Sequence, residues 1–178
     1  MEAKGKMLQS DCSFSGISPL MLPFPYPPAR VQEQNPFYAK LLTVDYCGAV
    51  SELTAITQYI QGESCMCCGH CAEARTLLGI AMAEMIHLQK LGELIMLLGG
   101  SIDYSTPTRN GRSQQWTPSY VEMACSLPEI LSANMEAEKA AISQYEQHMK
   151  MIEDDCVRAV LGRIVQDEEY HIMLLRMM

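Results

Sequence analysis

The chain has 178 residues, enough for one domain with a core of its own, and 48% of them are hydrophobic against 19% charged, which excludes a disordered polymer. Lys and Arg total 13 against 21 Asp and Glu, a formal net charge of -8, so the surface is not built to grip nucleic-acid phosphates or an anionic membrane. No apolar run reaches the roughly 18 to 20 residues of a membrane span, and MEAKGKMLQS is polar where a secretory leader is apolar, so a cytoplasmic protein is expected.

Residues 1–36 hold six of the nine prolines, all within SPLMLPFPYPPARVQEQNP, and read as an extended arm draped over a surface. From Phe37 onward, residues 37–178 read as one helical domain. Leu42, Val50, Leu53, Ile56 and Ile60 recur at helical intervals and predict a single long first helix with that face buried. QGESCMCCGHC interrupts it, with a Cys-rich hairpin over 62–71. A second helix is expected from Ala72 to Leu98, stopped by Gly99-Gly100. Residues 101–127 carry turn chemistry at Thr106-Pro107 and Asn110-Gly111 and form a long crossover. Pro128 suits the first turn of a third helix to Met151, and Asp154-Asp155 the positive end of a fourth. Helices of about 25 residues are each roughly 38 Å long. Four of them, with the long connection between the second and third, predict an all-α four-helix bundle.

Two segments of the chain repeat each other. SELTAITQY (51–59) aligns with AEKAAISQY (137–145), which sets Glu52 against Glu138 and Tyr59 against Tyr145. After each comes a Glu-x-x-His: Glu84 and His87 in AEMIH, Glu168 and His171 in DEEYH. With 15 Glu and 4 His in the chain, random order supplies about one third of such a motif, so two at matched spacing are a signal. Residues at i and i+3 share a helix face, and a Glu and a His placed there can chelate one ion. One Glu from each of two helices plus a Glu-x-x-His from each of the other two is the ligand set of di-iron and di-manganese bundles. The expected metal ligands are therefore Glu52, Glu84, His87, Glu138, Glu168 and His171, holding two Fe or two Mn ions. Their four carboxylates would balance the charge of two divalent ions; without metal they would repel one another and take up protons.

These motifs, with HLQKLGELIMLLGG and the continuation DEEYHIMLL, resemble the rubrerythrin-type branch of the ferritin-like superfamily, which also includes bacterioferritins and manganese catalases. The resemblance runs from about Asn35 to the C-terminus. It implies a ferritin-like bundle in which Glu84 and Glu168 bridge the metals and act in catalysis, Glu52 and Glu138 are terminal, and each metal takes one His. It also implies a redox enzyme, peroxidase or catalase in type, acting on hydrogen peroxide or dioxygen. A homodimer is expected by the same likeness, and an external electron donor if the metal is iron. A ferroxidase and a non-catalytic iron-binding protein are the alternative readings. Three departures stand out: there is no rubredoxin-like domain, Ala141 replaces the second carboxylate of the third helix, and a shell-forming fifth helix is not expected after Met178.

The remaining candidates carry alternatives. Tyr59 and Tyr145 read either as donors to the terminal carboxylates or as core packing. Asp167 precedes His171 by one turn and reads as a brace for its outer nitrogen or as a surface charge. His148 has no carboxylate three residues before it and reads as exposed. Without secretion, the eight Cys read as free thiols or metal ligands. Cys65, Cys67, Cys68 and Cys71, with His70 beside them, fit a further Zn or Fe site, a redox-active thiol group, or a loop without special chemistry.

Overall fold

Asn35 opens the helical part of the chain: its side chain accepts from the amides of Phe37 and Tyr38, and Pro36 takes the first helical position. In the computed structural model, which describes residues 12–108 and 110–178, the helices are α1 Pro36–Cys47, α2 Glu52–Met66, α3 Cys71–Leu97, α4 Leu127–Met151 and α5 Asp155–Met177. The first eleven residues of the Pro-rich arm lie outside the described residues.

The expected single first helix is two. α1 ends at Gly48, which is extended, and a Cβ there would sit 2.6 Å from the Val44 carbonyl oxygen. Ser51 then restarts the helix: its hydroxyl accepts from the Thr54 amide. α1 and α2 lie along the two halves of α3, so the broken rod still supplies one edge of a four-helix bundle. The apolar face predicted for this rod is also corrected. Ile60 is 39% exposed, and α2 instead buries Glu52, Thr54, Gln58, Tyr59, Gly62 and Met66. That inward face carries polar chemistry, so hydrophobic periodicity alone points the wrong way.

α3 stops at Gly99, whose φ of +84° is left-handed backbone that suits glycine. Asp154 caps α5, its carboxylate accepting from the amides of Cys156 and Val157. The crossover is more ordered than its turn residues suggest. Ser105–Pro107 pairs antiparallel with Ser113–Gln115, and a single 3-10 turn covers Pro118–Tyr120. The Trp116 indole N–H then donates to Thr54 Oγ1 at 3.0 Å, and the Glu122 amide to Gln58 Oε1 at 3.0 Å, laying the crossover against α2.

Two apolar clusters pack the interior. One joins Leu42 of α1, Leu91, Leu94 and Ile95 of α3, and Val160, Leu161 and Ile164 of α5. The other joins Tyr59, Leu77, Ile80, Ile130 and Leu175. Full burial of each such Leu or Ile contributes about 1.5 to 3 kcal/mol, the driving force for assembly. Between the clusters, α3 and α5 carry Glu84, His87, Glu168 and His171, a polar layer inside an apolar stack. Among the described residues, no helix is long and apolar enough to cross a membrane.

The cysteines overturn an expectation. Cys12 is disulfide-bonded to Cys71, and Cys65 to Cys125. Cys65 and Cys71 are thus committed to distant partners, and Cys65, Cys67, Cys68 and Cys71 do not form a four-thiolate Zn or Fe site. The Cys67 and Cys68 sulfurs lie 3.8 Å apart at the hairpin. Each disulfide spans about 60 residues of sequence, a separation that local spacing does not reveal.

Candidate metal centre

Six side chains meet in the polar layer. Ser51 sets Glu52 in the first turn of α2, where the helix dipole favours a negative charge. Glu138 projects from the middle of α4, Glu84 and His87 from α3, and Glu168 and His171 from α5. None is more than 3% exposed. His87 Nδ1 lies 2.7 Å from Glu84, 3.3 Å from Glu168 and 3.5 Å from Glu52. His171 Nδ1 lies 3.0 Å from Glu84, 3.0 Å from Glu168 and 3.5 Å from Glu138. The result is two matched clusters, Glu52–Glu84–His87–Glu168 and Glu84–Glu138–Glu168–His171, sharing Glu84 and Glu168. The i, i+3 spacing on α3 and α5 supplies the Glu–His pairs, and α2 and α4 add Glu52 and Glu138.

Electrostatics shows what the layer lacks. Burial and the charges of Glu84 and Glu168 push the Glu52 carboxyl well above its ordinary range and the Glu138 carboxyl up to about 8. Burial would lower both imidazoles, yet the surrounding carboxylates hold His87 and His171 well above theirs. Two cations would relieve the same crowding of negative charge. Glu84 Oε1, Glu168 Oε2 and His171 Nδ1 are fully buried and make no hydrogen bond. Buried polar atoms without partners are rare and call for an ion, and an all-oxygen-and-imidazole donor set suits Mn or Fe. The residues present fit a dinuclear centre.

The two tyrosines reach across the repeat. Tyr59 donates to Glu138 Oε1, and Tyr145 donates to Glu52 Oε1, so each half's Tyr holds the other half's terminal carboxylate. Burial keeps both phenols protonated as donors. Asp167 does not brace His171 as its spacing suggests. Its Oδ2 lies 3.3 Å from His87 Nε2, while His171 Nε2 faces the Leu20 carbonyl oxygen at 2.8 Å. Both outer nitrogens therefore meet acceptors and both Nδ1 atoms face the carboxylates. Burial would raise Asp167, but hydrogen bonds from His87, Arg163, Tyr26 and the Leu22 amide hold it well below the usual carboxylate range.

His148 is buried rather than exposed, with Nδ1 2.7 Å from Asp45 Oδ2. Gln144 Nε2 donates to the other Asp45 oxygen at 2.8 Å and to the Val50 carbonyl at 2.9 Å. This network borders a cavity of about 90 Å³ between α2 and α4, lined by Glu52, Tyr59, Glu84, Glu138, Tyr145 and Glu168, with Ala55, Ala137 and Ala141 as its small walls. Sequence reasoning missed Leu20, Leu22, Tyr26, Arg163, Asp45 and His148. Only the i, i+4 spacing of Arg163 and Asp167 offered a local signal.

The family model described as Rubrerythrin matches residues 69–178, which hold five of the six clustered ligand-type residues. The chain belongs to the rubrerythrin family. A probable manganese catalase of Clostridium acetobutylicum is 29% identical over 164 residues, covering 83% of this chain and 72% of that protein. The crystal structure of KatB, a manganese catalase from Anabaena, superposes with a TM-score of 0.75 at 25% identity, covering 83% of this chain and 73% of that one. The bacterioferritin of Desulfovibrio desulfuricans, which has a di-iron site, gives a TM-score of 0.64 at 26% identity over 78% of this chain and 77% of that one. Family and geometry agree on a dinuclear non-haem carboxylate–histidine centre, in an oxidoreductase of the kind that handles peroxide or dioxygen. The two clusters also match the expected pair of Fe or Mn ions.

Proposed function

We propose that this rubrerythrin-family protein disproportionates hydrogen peroxide, two molecules giving one of dioxygen and two of water, at a manganese centre held by Glu52, Glu84, His87, Glu138, Glu168 and His171. The observation that carries the reading is the pair of matched clusters joined through Glu84 and Glu168 and opening on one small cavity. Two ions bound there supply the two-electron couple and the Lewis acidity that O–O cleavage needs. Disproportionation returns the electrons it takes, so no external donor enters. With iron instead, a reductant has to close the cycle.

The chain's own residues set the rest. Glu84 and Glu168 each turn one oxygen toward His87 and the other toward His171, so both would help to hold both ions. Tyr145 and Tyr59 orient the terminal carboxylates and hold a proton beside the cavity at each phenol oxygen. The cavity of about 90 Å³ leaves room for a molecule the size of peroxide beside the carboxylates. Ala141 lines this cavity where rubrerythrins place a further carboxylate, which favours the symmetric catalase arrangement over a peroxidase with a movable ligand.

The decisive test is dioxygen release from peroxide by protein reconstituted with Mn(II), against the Fe(II)-loaded form. Many turnovers with Mn support the reading. Oxidation of Fe(II) by dioxygen without peroxide turnover supports the second one, a ferroxidase, which the likeness to a di-iron bacterioferritin favours. Tight iron binding with neither reaction makes the protein a non-catalytic iron binder. A homodimer belongs to the same proposal and is read by sedimentation. So does a cytoplasmic location, and the two disulfides set its test: both bonds intact in acid-quenched cells place the protein in an oxidising compartment instead.

A further inference from the structure

The N-terminal arm lies outside the matched family region, yet it reaches both histidines of the centre, His171 directly and His87 through Asp167. The Leu20 carbonyl accepts from His171 Nε2 at 2.8 Å. The Leu22 amide donates to Asp167 Oδ1 at 2.8 Å and the Tyr26 hydroxyl to Asp167 Oδ2 at 2.6 Å, and Asp167 in turn faces His87 Nε2. Arg163, 5% exposed, ties the pieces together. Its guanidinium is 2.6 Å from Asp167, donates to the Leu22 and Phe24 carbonyls, and stacks over the Tyr26 ring at 4.6 Å. The arm is seated on α3 by the Leu20 amide, which donates to the Gly79 carbonyl at 2.9 Å.

We infer that Leu20–Tyr26, with Arg163, is a positioning element of the metal centre that locks both imidazoles with Nδ1 toward the ions. The inference rests on the dinuclear reading. A carbonyl and a carboxylate can only accept, so each outer nitrogen must carry the proton and each Nδ1 must offer its lone pair inward. The two braces differ in kind. Asp167, itself held by Arg163, Tyr26 and the Leu22 amide, faces His87 Nε2 at 3.3 Å, and the Leu20 carbonyl faces His171 Nε2 at 2.8 Å. Gly79 belongs to the device: a Cβ there would lie 2.7 Å from Leu20 Cγ and force Leu20 off α3.

The test is the rate at which Mn-loaded protein loses metal to excess chelator, for wild type, Tyr26→Phe, Gly79→Ala and a control, Tyr38→Phe. Tyr38 also ties distant parts of the chain through its hydroxyl, which accepts from the Glu153 amide, but it touches no ligand. The expected result is metal loss faster by about tenfold or more in Tyr26→Phe and Gly79→Ala, the range seen when outer partners of ligands are removed. Tyr38→Phe retains metal as wild type does. Gly79→Ala lies within a helix, where Ala has the better intrinsic propensity, so its metal loss is not a helix-folding defect. Wild-type loss rates in both Tyr26→Phe and Gly79→Ala overturn the inference while leaving the centre in place. Wild-type protein that takes up neither Mn nor Fe overturns the centre and the positioning role together.

Discussion

Glu84 belongs to both clusters, whereas Glu138 belongs to one, and that difference is measurable. On the proposed reading, Glu84→Ala would take a carboxylate from both clusters at once. Elemental analysis should show both ions lost and peroxide turnover gone. Glu138→Gln should weaken chiefly the position beside His171, and full metal content in Glu84→Ala would contradict a shared ligand. The same residues set a pH dependence. Metal-free Glu138 holds its proton up to about pH 8, whereas in the unfolded chain that carboxyl ionises near 4.5. Its contribution to metal-free stability is complete below about 4.5 and fades as pH rises through about 8. A bound cation replaces that proton. The thermal stabilisation by Mn(II) should therefore grow between about pH 5 and 8, and calorimetry should show proton release on binding. Glu84 with His87 and Glu168 with His171 stood out in the sequence because i, i+3 geometry is local to a helix, and Glu52 and Glu138 because the segment repeats. The Asp45–His148 pair spans 103 residues, and no periodicity carries such a contact.

Among the elements, the same division holds. The starts and stops of α3, α4 and α5 follow from Gly99, Pro128 and Asp154, residues whose effects act within one turn. The break between α1 and α2 was missed because the apolar repeat runs across it, although Gly48 and Ser51 hold the local reason. The crossover and the arm are placed by bonds to distant helices. Cys65–Cys125 pins the end of the crossover to α2, and Cys12–Cys71 pins the arm to the start of α3. Closing loops of about 60 residues restricts the unfolded chain by an amount worth about 4 kcal/mol per bond in the chain-entropy model. Reduction at neutral pH should lower the melting temperature by many degrees, and faster still should be the loss of metal if the arm loosens. An unchanged melting curve after verified reduction would contradict the bonds' structural role.

For the molecule as a whole, burying four carboxylates and two imidazoles between apolar clusters is costly unless cations join them. The fold therefore makes most sense as a vessel for two ions, with a cavity beside their carboxylates that has room for a small substrate. The net charge of -8 fits this use, since it offers no attraction to nucleic acid and none is needed by a neutral peroxide. One measurement tests the central claim most directly: metal content and dioxygen release determined on the same sample after reconstitution with Mn(II). The account predicts two Mn per chain and one dioxygen for every two peroxides consumed, sustained over many turnovers. A protein that stays free of Mn and Fe, or that binds both ions and leaves peroxide intact, would contradict it.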